Sequence, residues 1–144
     1  MVDIIDAARY VVQISYKNKK YSLTNLKLQK ILYLVQGWSY VWDGVPAFAG
    51  DFALWGTGPV SQKVHDIFSK YGRDEIPICE GKSSLSDKNI EETIDAVWEE
   101  YGRKSAYDIV ELVRKLIPNK CLIGESERIS DEMIERVFRA EFPC

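Results

Sequence analysis

The stretch from Asn25 to Trp42 constrains this chain more than any other. Apolar residues fall almost all the way round it at helical spacing: Leu26, Leu28, Ile31, Leu32, Tyr33, Leu34, Val35, Trp38, Tyr40, Val41 and Trp42. A helix with no clear polar face belongs in the middle of a fold. Thr24 stands in the N-cap position, with a hydroxyl able to accept from a free first-turn N–H. A central helix needs neighbours that are apolar on one side only, and the chain supplies them. Ile4, Ile5, Ala8, Val11 and Val12 form one such stripe; Ile90, Ile94, Val97, Trp98 and Tyr101 form another. Ile109, Val110, Val113, Leu116 and Ile117 follow Ser105 and Asp108, which have capping-box spacing, and the run stops at Pro118. Ser130 precedes a last stripe of Met133, Ile134, Val137 and Phe138.

The region after the central helix is punctuated differently. Gly44, Pro46 and Gly50 break the chain, and Asp51 to Trp55 then alternates as a short strand would, with Val45 to Phe48 as its candidate partner. Gly58-Pro59 predicts the start of a helix, because proline in the first helical position gives up an N–H that has no partner there anyway. That helix would carry Val60, Val64, Ile67, Phe68 and Tyr71 and end at Gly72. Residues 73–87 and 119–129 read as loops, with Ile76 and Ile78 able to add a little strand. The expected fold is mainly α: one compact domain over residues 1–144, with about six helices and a short β element between the second and third.

Size and charge bound the function. A chain of 144 residues can bury one real core. A net charge of −3 argues against a nucleic-acid binder, which needs clustered cations to neutralise phosphates. The one basic cluster, Lys17, Lys19 and Lys20, falls in a turn and reads as solvated. Glu91, Glu92, Asp95, Glu99 and Glu100 lie away from the apolar stripe of their helix, as a solvated face or as a docking face for a basic partner. Cys79, Cys121 and Cys144 make neither a disulfide framework nor a zinc pattern, and free thiols fit the cytoplasm. Asp3 and Asp6 at the start argue against a secretion signal, and the apolar run Ile31 to Val35 is too short to cross a bilayer.

No cofactor, metal set or catalytic residue is indicated. His65 is the only histidine and has no nucleophile or ligand motif beside it. Gly56-Thr57-Gly58-Pro59 lacks the Gly-Lys-Ser/Thr ending of a phosphate loop and reads as a tight turn into a helix. The expectation is a binding protein rather than an enzyme.

Four blocks in order carry a resemblance: Thr24-Asn25-Leu26-Lys27-Leu28-Gln29-Lys30-Ile31-Leu32-Tyr33, then Gln36-Gly37-Trp38, then Phe52-Ala53-Leu54-Trp55-Gly56-Thr57-Gly58-Pro59-Val60, then Tyr71-Gly72. The set resembles the Panacea domain family of SocA-like antitoxins and GepA-like phage-associated proteins, over about Asp3 to Pro118. The resemblance implies an antitoxin that binds and neutralises a cognate toxin by direct contact. It also implies, as an alternative, an adaptor that delivers a partner to an ATP-dependent protease; a phage-associated DNA-binding regulator is a further alternative, because a compact helical domain can hold a helix-turn-helix. The resemblance brings no catalytic residues. It nominates Lys27, Gln29, Lys30, Tyr33, Gln36, Trp55, Thr57, Gly58 and Pro59 as motif or partner-binding positions. Where many family members carry a Thr-His-Lys-like stretch, this chain has Leu112-Val113-Arg114-Lys115.

The polar motif residues pose a physical question. An unpaired buried polar group costs about 1–3 kcal/mol. Gln29 and Gln36 are seven apart and share a face of the central helix, so they either pair with the Trp55–Val60 turn or line a polar groove there. Lys27 and Lys30 either reach solvent, close over buried carbonyls or face a partner.

Overall fold

A computed structural model describes residues 1–17 and 21–143. Lys19 and Lys20 of the basic cluster, and Cys144, lie outside the described residues. The described chain has seven helices and one small antiparallel sheet. Helix α1 spans Ile4–Ser15, α2 Asn25–Asp43, α3 Gln62–Phe68, α4 Lys88–Tyr101, α5 Ala106–Arg114, α6 Asn119–Leu122 and α7 Asp131–Glu141. Strands β1 (Phe52–Trp55) and β2 (Gly58–Ser61) stand between α2 and α3. The expected mainly α class, with its β element in that place, is what the chain adopts.

Side-chain caps set where five of the other helices begin. Asp3, Ser61, Asp87, Ser105 and Ser130 each accept from a first-turn N–H of the helix that follows, and Thr24 does the same for α2. Helix α2 is the hub. It packs against α1, α3, α4, α5, α7 and β2. Leu28, Ile31, Leu32, Tyr33, Leu34 and Val35 are fully buried along it. At Gly37 the ring of Phe138 lies so close that a Cβ would sit 2.2 Å from its Cε2, so glycine lets α7 seat directly on α2. No helix among the described residues is long and apolar enough to cross a membrane.

Four local expectations are corrected. Gly58-Pro59 opens a strand, not a helix: α3 begins at Gln62, and the N-cap is Ser61, whose hydroxyl accepts from Val64 N. Proline is tolerated because it stands opposite Leu54 on an edge strand, where its absent N–H removes no rung of the ladder. Residues Val45 to Phe48 do not pair with β1. The β1 partner is β2, with Phe52 opposite Ser61 and Trp55 opposite Gly58. Instead Phe48 forms an isolated parallel bridge with Val2, and Val2 N donates to Ala47 O. Ile78 lies in a short 3-10 turn, Ile78–Glu80, rather than a strand. Finally, the expected loop 119–129 contains α6, a single turn in which Cys121 N and Leu122 N both donate to Pro118 O.

The second half of that loop adds a third stretch to the sheet. Leu54 N donates to Glu127 O at 2.7 Å, Ile129 N donates to Phe52 O at 2.9 Å, and Ala53 bridges Arg128 antiparallel. An isolated two-stranded hairpin is marginal in water. This one is supported along its β1 edge by main chain and, on its β2 edge, by side chains.

Candidate partner-binding site

Helix α2 supplies that second edge. The carboxamide of Gln29 behaves as a peptide group: its Nε2 donates to Ser61 O at 3.1 Å, and its Oε1 accepts from Ser61 N at 2.8 Å. One turn of register away, Lys30 Nζ donates to Pro59 O at 2.8 Å. Together they satisfy main-chain groups that β2 points away from β1, which would otherwise be buried orphans. Lys30 is fully buried, and burial pushes its ammonium down to about 8. Gly58 takes φ +109°, a conformation side-chain-bearing residues rarely adopt. A Cβ there would stand 3.1 Å from Lys30 Cε, so the absence of a side chain also makes room for the lysine stem.

Tyr33 braces the neighbouring wall. Its hydroxyl donates to Leu116 O at 2.7 Å, just past α5, and its ring meets Phe52 and Phe138 edge-on at 5.4 and 5.7 Å. Burial raises its phenol well above the ordinary value. Between the hairpin and α5 this leaves an apolar cleft of about 210 Å³. Trp55, Thr57, Gly58 and Pro59 line one side; Val110, Val113 and Ile117 line the other, with Leu122 of α6 and the Arg114 side chain completing it. Trp55 is 36% exposed and Leu122 55%. The tryptophan is steadied by His65 of α3, which meets its ring edge-on at 4.9 Å.

The nine motif residues therefore divide. Trp55, Thr57, Gly58 and Pro59 come together at the cleft, and Gln29, Lys30 and Tyr33 stand behind it. Gln36 and Lys27 go elsewhere. Gln36 Oε1 accepts from Ala47 N and Phe48 N, while its Nε2 donates to Phe48 O and to Asp131 Oδ1. It pins the turn after α2, not the hairpin. Lys27 Nζ donates to Gly102 O and lies 5.3 Å from the Trp98 ring centroid. The amides thus pair internally rather than lining a groove, and both lysines close over carbonyls.

Sequence reasoning missed Ser61, which caps α3, binds Gln29 and donates through its hydroxyl to Asp51. It also missed Leu122, an apolar residue inside a segment read as loop. The only trace of the first was a serine two places after proline and before an apolar helix. Around the acidic helix α4, Asp95 accepts from Tyr10 OH at 2.8 Å, while Glu92, Glu99 and Glu100 are exposed. Among the described residues no group of His, Cys, Asp and Glu is arranged to hold a metal.

Comparison with known proteins bears on the same motif blocks. The chain is similar to antitoxin SocA of Caulobacter vibrioides, at 35% identity over 99 residues that cover 61% of this chain and 53% of that protein. It therefore spans about half the length of the curated relative it matches. No solved structure gives a significant match. The family described as Antitoxin SocA-like, Panacea domain, matches residues 28–117, a span running from α2 through the hairpin to the far wall of the cleft, and to that family the chain belongs.

Proposed function

We propose that this protein is the antitoxin of a toxin–antitoxin pair and that it neutralises a cognate toxin by direct contact through the hairpin cleft. Membership of the SocA-like family carries the reading. The cleft supports it physically: an aromatic ring, Trp55, and an aliphatic side chain, Leu122, stand exposed beside an apolar hollow that a side chain of a partner can fill. Partly exposed aromatics beside pockets are the usual anchors of protein interfaces. In this reading Gln29, Lys30 and Tyr33 serve binding indirectly, by holding the hairpin against α2 and α5.

The test is co-expression with the protein encoded beside this one, scored by growth and by recovery of a complex. Wild type rescues growth and elutes with intact toxin. Trp55→Ala and Leu122→Asp melt like wild type yet lose rescue. A neighbour that is harmless alone, or full rescue by both variants, would sink the proposal.

A further inference from the structure

A second cleft, of about 370 Å³, opens where the chain enters α2 and α5. Its polar lining is Ser22, Thr24, Lys27, Arg103, Lys104 and Ser105, and no carboxylate lines it among the described residues. Acids outnumber bases in this chain, 22 to 19, yet the charged side chains facing this cleft are three cations; the carboxylates beside them, Asp95 and Glu99 by Arg103 and Glu100 by Lys104, face adjoining hollows. Lys27 is the unusual member. It is only 4% exposed, it has no ion-pair partner among the described residues, and its one hydrogen bond goes to Gly102 O. An ammonium carries three donors; Lys27 gives one to Gly102 O, and its Nζ lies 5.3 Å from the Trp98 ring centroid. Buried charges are normally paired with an opposite charge, yet the other charged side chains lining this cleft with Lys27, those of Arg103 and Lys104, are also cations. Burial already draws this ammonium down to about 8.

The main chain points the same way. Thr24 and Ser105 are the N-caps of α2 and α5, helices of 19 and 9 residues, so both positive dipole ends border the cleft. Helix N-termini favour anions through open N–H groups. Here they coincide with cations from two separate parts of the chain.

We propose that this cleft binds a phosphate-type oxyanion, as free phosphate or as the phosphoryl group of a small metabolite. A tetrahedral phosphate offers several oxygens and close to two negative charges near neutral pH, which suits three cations converging from different directions better than a planar carboxylate does. Lys27 meets it from the buried side, Arg103 offers its fork, and Lys104, Thr24 and Ser105 close the rim. The site is separate from the hairpin cleft, so toxin binding can fail while anion binding holds, and the reverse.

Calorimetric titration with inorganic phosphate at pH 7 tests it, with sodium chloride at matched ionic strength as reference. Saturable binding is expected. Arg103→Gln together with Lys104→Gln, both outside the core, weakens it at least about tenfold, as loss of charge-assisted hydrogen bonds requires. Lys63→Gln on α3, away from the cleft, leaves it unchanged. Lys27→Met abolishes binding; if that variant does not fold, the surface pair decides alone. A second arm compares a sugar phosphate and a nucleoside monophosphate with phosphate. Tighter binding of either organic phosphate assigns the source as a metabolite, and equal binding assigns free phosphate. No heat beyond the chloride reference, or equal affinity of wild type and the double variant, overturns the proposal.

Discussion

Raising the pH from 7 to 9 should stabilise this protein, an unusual direction for a small acidic domain. The cause is the lysine buried behind the hairpin. Lys30 is fully buried and its ammonium titrates at about 8, against 10.5 for a free lysine. Its folded value lies below its unfolded value, so the native state sheds the proton first and the unfolded state binds more protons. Stability therefore rises with pH from about 8 and is complete only above the unfolded value. One pH unit of differential titration is worth about 1.4 kcal/mol. Between pH 7 and 9, Lys30 alone gives roughly 1.3 kcal/mol by that conversion. Lys27, also held down to about 8, adds up to the same again, less whatever its position beside the open cleft lets water screen. The window closes from above. Burial raises the thiol of Cys121, and Tyr40 and Tyr71 are raised to about 12, so each of these gives up stability once pH passes its unfolded value, at about 9 or 10. Urea denaturation at pH 7, 8 and 9, in a buffer free of phosphate, should show the midpoint climbing by about 1 M if the slope is near 2 kcal/mol/M. Lys30→Met should remove at least half the climb. A midpoint that stays level or falls between pH 7 and 9 would refute the assignment of a buried, protonated Lys30.

Further substitutions probe the same frame. Gln29→Met keeps the volume but leaves Ser61 N and O both without their partner inside the protein, and should cost about 2–5 kcal/mol in urea melts. Gly58→Ala forces a side chain onto φ +109° and against the Lys30 stem, and should cost about 1–3 kcal/mol. Gly37→Ala drives a methyl group into the Phe138 ring and should lower the midpoint although alanine favours helix, a loss of about 1–3 kcal/mol from overpacking. Gly56→Ala, with nothing within 4 Å of the new carbon, should stay within about 0.5 kcal/mol of wild type.

The helical frame was legible because each helix advertises itself locally. An apolar stripe and a capping hydroxyl are properties of ten neighbouring residues, and Thr24, Ser105 and Ser130 all act as their positions suggested. The hairpin was not legible for a matching reason. Gly58-Pro59 has the local character of a helix start, and what makes it a strand lies about 30 residues earlier, in Gln29 and Lys30. The strand expected at Asp51 to Trp55 is matched from sequence to the preceding main chain, whereas its partner is β2, whose other edge is held by a carboxamide and an ammonium. The third stretch of the sheet, Glu127 to Ile129, comes from a still more distant loop whose residues show no alternation. For the candidate site, the family resemblance nominated Lys27 and Gln36 together with Lys30, but no one-dimensional pattern says that the first meets Gly102 and the second the Phe48 turn.

That division of roles bears on how binding data for such a protein must be read. If the hairpin cleft is the contact surface, a scan of the motif should lose function at Gln29, Lys30 and Trp55 alike, and would draw a partner surface that includes two residues buried behind it. The structure separates them by mechanism. Trp55 and Leu122 face solvent, so their loss should lower partner affinity at constant stability. Gln29 and Lys30 hold β2 against α2, so their loss should act through the folded population and the seating of the hairpin, which carries Trp55 at its tip. The two routes diverge under a stabilising condition. Moderate cooling or a compatible osmolyte refills the folded state and should restore rescue to Gln29→Met, since osmolytes strengthen burial without creating contacts. The same treatment should do nothing for Trp55→Ala, whose fold was never the problem. If osmolyte restored Trp55→Ala and left Gln29→Met inactive, the cleft would not be the contact surface, and the amide behind it would have to reach the partner through an opening of the hairpin.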